Sequence, residues 1–148
     1  MKWFVGFILI IIITSLGVLS FIEEPQAPEV HSPSNWVEEN QIHVYPNQII
    51  LDIDHASWAR FTNTNSMDPF IDENSHAIEI MPTYPLQIQV GDIIAYQLGN
   101  TVVIHRVIER GIDSIGTYYI VKGDNNVLQD PIPVRFEQVR GVVVAIIY

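Results

Sequence analysis

Cysteine is absent from all 148 residues. That excludes disulfides, thiolate catalysis and cysteine-ligated zinc, and leaves the redox compartment open. Bases are scarce: 7 lysines and arginines stand against 17 aspartates and glutamates, a net charge of −10. Nucleic-acid binders neutralise phosphates with lysine and arginine, so nucleic acid is set aside as a partner. Also missing are an internal repeat, a low-complexity tract and a convincing long helix after the first 22 residues.

What is present is unevenly distributed. Residues 1–22 hold no acid and one base, Lys2. All 17 acids lie in residues 23–148 against 6 bases, a balance of −11 there. The run Trp3–Ile22 (WFVGFILIIIITSLGVLSFI) is uncharged. As a helix it spans about 30 Å, the thickness of a bilayer core. A secretory signal has a shorter apolar stretch and an Ala-x-Ala-like exit. Ser15-x-Gly17 and Val18-x-Ser20 are only weak matches, so residues 1–22 are expected to be an uncleaved transmembrane anchor. Lys2 before the run and Glu23 and Glu24 after it orient the short end to the cytoplasm. The rest then lies on the extracytoplasmic face of the cell membrane, as a single-pass protein.

Residues 23–40 carry Pro25, Pro28 and Pro33 among polar residues and are expected to be a stiff tether. Residues 41–148 fit one domain. Their pattern is β, with strands expected at Gln41–Tyr45, Gln48–Ile53, His76–Met81, Asp92–Leu98, Thr101–Glu109, Tyr118–Lys122 and Val139–Ile147. Gly99-Asn100 is a two-residue hairpin signal. The closest approach to a helix is a short stretch around Asp54–Phe61. The expected fold is mostly β, an antiparallel barrel-like or sandwich-like domain.

Three segments carry candidate chemistry. Asn63–Pro69 (NTNSMDP) places Ser66 in a polar loop, where serine is an ordinary turn residue unless a base takes its proton. Val102–Val107 (VVIHRV) sets His105 and Arg106 within an apolar strand. By alternation His105 shares a face with Val103 and Val107, while Arg106 points the other way. Histidine titrates near neutrality and can serve as a base, or be a half-buried residue bonded to a carbonyl. Lys122–Asn126 (KGDNN), with Asp130 beyond it, reads as a turn, or as the source of a carboxylate that orients an imidazole.

In this order, Asn-Ser-Met-Asp-Pro, Val90-Gly-Asp-Ile-Ile94, Ile104-His-Arg-Val107 and Lys-Gly-Asp-Asn-Asn with Asp130 resemble type I signal peptidases. They resemble the archaeal and endoplasmic-reticulum branch, with histidine in place of the bacterial lysine base. The likeness covers residues 60–148 and the single amino-terminal anchor. It implies a serine endopeptidase that removes signal peptides from exported preproteins, without metal or cofactor. Its implied partners are preproteins, the lipid bilayer and the secretion machinery.

The resemblance makes Ser66 the nucleophile and His105 the general base. It matches two carboxylates to the acid, Asp130 as the triad member and Asp124 as a supporting residue. The Ser66 amide, with Thr64 or Asn65, would form the oxyanion hole, and Met67 would help to line the substrate surface. Three departures stand out. Asn65 occupies a position where the family has glycine or serine. Asp72-Glu73-Asn74 replaces an early Gly-Asp pair. The later pair is present as Gly91-Asp92, expected here to be a strand-entry turn. The rival expectation is a non-enzymatic, membrane-tethered β domain that binds extended peptides.

Overall fold

The computed structural model describes residues 29–148. The apolar run 3–22, and with it the expected anchor, lies outside the described residues. Among those described, no helix is long and apolar enough to cross a membrane. The alternating segments form strands: β1 (Ile42–Tyr45), β2 (Gln48–Leu51), β3 (Ala56–Arg60), β4 (His76–Ile80), β5 (Ile93–Leu98), β6 (Thr101–Ile112), β7 (Thr117–Lys122), β8 (Val134–Arg135) and β9 (Val139–Ile147). β1 and β2 make a separate hairpin, and the other seven join in one sheet of order β3-β4-β9-β5-β6-β7-β8. Every pairing is antiparallel. Among the described residues β3 and β8 are the sheet's two edges, and no ladder joins them into a ring.

One expectation is corrected. The stretch around Asp54–Phe61 is not helical: Ala56–Arg60 is an extended edge strand paired with β4 in register Ala56↔Ile80 to Arg60↔His76. Its residues are too few to repay the nucleation of a helix, whereas an existing strand offers partners for its backbone. Only Ala59 of β3 packs toward the interior.

Both faces of the sheet are covered, because neighbouring residues point to opposite sides. Ile94 and Val142 join Tyr96, Val107, Tyr119, Val121 and Val134 in one cluster. Ile93 and Val143 join Ala77, Met67 and Ile71 in the other. Each fully buried Ile or Val contributes about 1.5–3 kcal/mol. Burial pushes the Tyr119 hydroxyl up to about 12, and that hydroxyl donates to the Pro85 carbonyl at 2.8 Å.

Asp92 opens β5 and has no solvent exposure. Its Oδ1 accepts from the Ser34 N–H and the Ser34 hydroxyl, both at 2.7 Å. Its Oδ2 accepts from the Trp36 indole at 3.1 Å and the Gln89 N–H at 2.9 Å. Asp92 is thus a strand-entry residue that also clamps the end of the proline-rich segment onto the domain. The preceding Gly91 (φ 102°) has no room for a side chain: a Cβ there would lie 2.1 Å from the Ser32 carbonyl oxygen.

Glu79 is a second buried carboxylate, on β4 opposite Val143, and burial raises its pKa. In acid both folded and unfolded chains hold the proton, so burial costs nothing. As pH climbs past the ordinary carboxylate value of 4.5, the unfolded chain ionises freely in water while the folded chain must hold the proton or bury an ion, and stability falls. Glu79→Gln is therefore expected to melt above wild type at about pH 7.5 and alongside it at about pH 4. Melting curves at the two pH values check this. A variant that melts lower at the higher pH would show that the carboxylate is stabilising.

Candidate active site

His105 comes from the middle of β6, opposite Ile94 of β5 in the register set by the Leu98↔Thr101 hairpin. Its side chain is 9% exposed. The chain after β7 turns at Gly123–Asn126 and comes back so that the Asp130 N–H bonds the Val121 carbonyl at 2.9 Å. That return puts Asp130 Oδ1 2.8 Å from His105 Nδ1. The Tyr96 hydroxyl donates to Asp130 Oδ2 and lies 3.4 Å from His105 Nδ1. Burial, and then the hydrogen bond to Asp130, drive the Tyr96 hydroxyl well above the usual phenol range, so it stays a donor. With the Nδ1 proton held by Asp130, the lone pair of a neutral ring sits on Nε2. Nε2 has no hydrogen-bond partner among the described residues.

Asp124 does a different job. Its Oδ1 and Oδ2 take a two-pronged grip from Arg106 Nε and Nη2 at 2.8 and 2.6 Å. The third arm of the guanidinium, Nη1, donates to the Gly91 carbonyl at 2.8 Å. Arg106 thus lies on the sheet face opposite His105, as alternation predicts, and ties the 122–126 turn to the turn before β5. The pair is mostly shielded, with 11% and 14% side-chain exposure. The Asp124 N–H in turn points at the Met67 sulfur at 3.4 Å.

Ser66 is half-buried on a loop held by that same turn. Its carbonyl accepts from the Asn125 N–H at 2.9 Å, and the Asn125 side chain donates to the Asn65 carbonyl at 2.9 Å. Gly123 is required for this approach, since a Cβ there would lie 2.5 Å from the Ser66 oxygen. Asn65 has φ 56°, the left-handed region that glycine adopts freely and asparagine tolerates best among other residues. Asn65 thus meets the same backbone demand that a glycine would. The Ser66 hydroxyl lies 3.1 Å from the Thr64 hydroxyl. It makes no hydrogen bond to His105. Among the described residues the Ser66 N–H and the Asn65 side-chain amide donate to nothing.

Met67 departs from expectation. It does not line an open surface but is 1% exposed, seated among Ile71, Ala77, Ile93 and Val143. An apolar side chain next to a polar serine is drawn beneath the loop, and it fixes the loop to the sheet. A recess between residues 29–31 and β6–β7 is lined by Arg106, Lys122 and Asp124, and neither Ser66 nor His105 lines it.

Sequence reasoning passed over Tyr96 and the role of Arg106. Tyr96 had a readable signal. A hairpin that pairs Leu98 with Thr101 pairs Tyr96 with Val103, which makes Tyr96 the diagonal neighbour of His105 on one face, within aromatic reach. β6 also outruns β7. Its pairing with β7 starts at Arg106↔Lys122, so Thr101–His105 are paired on the β5 side only. No protein-family model matches the chain, and no curated protein matches it.

Proposed function

We propose that the chain is a membrane-anchored serine endopeptidase of the signal-peptidase kind, with residues 3–22 as its anchor and the β domain as its catalytic unit. The observation that carries this is the His105–Asp130 contact of 2.8 Å, made by the stretch of chain that follows the 122–126 turn holding the Ser66 loop. A carboxylate on Nδ1 fixes the tautomer that makes Nε2 a base.

In this mechanism the Ser66 hydroxyl turns from Thr64 toward Nε2 when substrate arrives, since catalytic hydrogen bonds often tighten only in the complex. His105 takes the Ser66 proton as Oγ bonds to the scissile carbonyl carbon. The oxyanion faces the unspent Ser66 N–H and the Asn65 amide. The imidazolium, stabilised by Asp130, passes its proton to the departing amine as the C–N bond breaks. Water then hydrolyses the acyl-Ser66 ester by the same proton path. The residues before the cut would lie extended along the unpaired edge of Thr101–Ile104, which leads directly to His105. Anchoring both enzyme and preprotein in one bilayer raises their effective concentration.

One observation favours a second reading, a domain that binds extended peptides without cutting them: the Ser66 hydroxyl is engaged by Thr64 and not by His105. A single experiment separates the two. The full chain in membranes is exposed to a fluorophosphonate probe and to a preprotein. The peptidase is expected to label at Ser66 and to release the signal peptide. Ser66→Ala and His105→Ala are each expected to remove both activities, with rate losses of about 10⁶-fold. Peptide binding without labelling or cleavage in the wild type would establish the binding domain instead.

A further inference from the structure

Among the described residues the β1–β2 hairpin stands apart from the seven-stranded sheet. None of its residues belongs to either core cluster. Its backbone closures to neighbouring chain among the described residues are at its base, where the Ile42 N–H bonds the Glu39 carbonyl, the Asp52 N–H bonds the Gln41 carbonyl at 2.8 Å and the Gln41 side chain returns to the Asp52 carbonyl. The pairing Ile42↔Leu51 and Val44↔Ile49 puts four aliphatic side chains on one face. The other face holds His43↔Ile50 and Tyr45↔Gln48. Ile42, Val44 and Ile49 are 44%, 72% and 68% exposed. A lone two-stranded hairpin is marginal in water, and an aliphatic face left in solvent makes it worse.

We infer that this face rests on the lipid bilayer, in the interfacial layer. Four observations point to lipid as the occupant. The apolar run 3–22 is of bilayer length and 19 residues separate it from Ile42. No residue from Gln41 to Leu51 is an acid, lysine or arginine, although the chain around it is strongly acidic, and Glu38, Glu39, Asp52 and Asp54 stand at the hairpin's base. An uncharged tongue is where an acidic domain can meet lipid without desolvating carboxylates. Tyr45 lies at the turn end on the other face, where an amphipathic ring would sit at headgroup level above the aliphatic side. Finally, the outer edges of β1 and β2 carry unpaired N–H and C=O groups. Such edges cannot enter hydrocarbon, so the hairpin lies flat at the boundary, aliphatic face down, with the acids marking how deep it goes.

The inference shares with the proposed function the anchoring of residues 3–22, but not the chemistry of Ser66. Because the chain has no cysteine, a single introduced one carries a nitroxide cleanly. Full-length protein with a label at His43, Val44, Gln48 or Ile49 is reconstituted into phosphatidylcholine vesicles, checked by flotation and probed by power saturation with oxygen and a water-soluble nickel chelate. Ile115, 79% exposed in the β6–β7 turn, is the aqueous reference. Labels at 44 and 49 are expected to be several-fold less accessible to nickel than the reference and more accessible to oxygen. Labels at 43 and 48 are expected to resemble the reference, so that accessibility alternates with strand period. Flotation with nickel-accessible labels at 44 and 49 would overturn the hairpin inference and leave the anchor intact. Shielding of 44 and 49 from both reagents would overturn it in favour of a protein contact, such as a second copy. A chain that does not float would overturn both it and the anchor.

Discussion

In the proposed peptidase, replacing Asp130 by asparagine is expected to lower the single-turnover cleavage rate by about 10⁴-fold while leaving the melting curve close to wild type. The size of the loss follows from the donors around the carboxylate. Tyr96 donates to Oδ2 while His105 Nδ1 lies at Oδ1. In the variant the hydroxyl of Tyr96 takes the one remaining oxygen, and the new amide N–H₂ faces Nδ1. Nδ1 must then accept, the ring proton moves to Nε2, and the base is lost. Adding Tyr96→Phe to Asp130→Asn frees the amide to turn its oxygen to Nδ1, so the double variant is expected to recover part of the rate. Rapid-quench cleavage with membrane-embedded protein measures both. A loss below about tenfold in Asp130→Asn would remove Asp130 from the orienting role.

The neighbouring acid is expected to fail in the opposite way. Asp124→Ala should cost about 3–5 kcal/mol of stability, because it strands the shielded Arg106 guanidinium without a counter-charge. Against a typical domain stability of about 5–15 kcal/mol, that is a large part of the total. The Ser66 loop would also lose its support, since the 122–126 turn carries the Asn125 N–H that bonds the Ser66 carbonyl. Denaturant melts of Asp124→Ala, Arg106→Met and the pair Arg106→Met/Asp124→Leu form the test. The pair is expected to be more stable than Asp124→Ala, as it removes the buried charge altogether. A double variant no better than Asp124→Ala would mean that the cost lies in the turn's geometry and not in the stranded charge.

These two acids show where sequence reasoning reaches and where it stops. Spacing alone leaves Asp124 and Asp130 equivalent, six residues apart on one irregular loop. Only the return of the chain along β7 brings one to His105 and gives the other to Arg106. The strands were more legible. β4, β5, β6, β7 and β9 carry period-two alternation or β-branched runs, and Gly99-Asn100 announces the β5–β6 turn. β3 was missed because Ala56–Arg60 lacks a buried face to reveal its period, and its extension is dictated by β4. β8 was missed because two residues carry no pattern. Met67 was placed on the surface by analogy, although its apolar side chain beside Ile71 already suggested burial. The Asp92 contacts to Ser34 and Trp36 bridge more than fifty positions of sequence, a separation at which no local pattern operates.

That clamp also bounds distance. With Ser34 and Trp36 fastened to Asp92 and Ser32 pressed against Gly91, residues 23–31 are the sequence between the apolar run and the first fastened residue. Nine residues reach at most about 30 Å in any conformation. If the clamp opened, residues 23–36 would all pay out, and the reach would grow by more than half. In the proposed anchored peptidase Asp92 would act as a cleat on a mooring line, setting how far Ser66 and His105 could stand off from the lipid surface and how close to the membrane a substrate would have to present its bond.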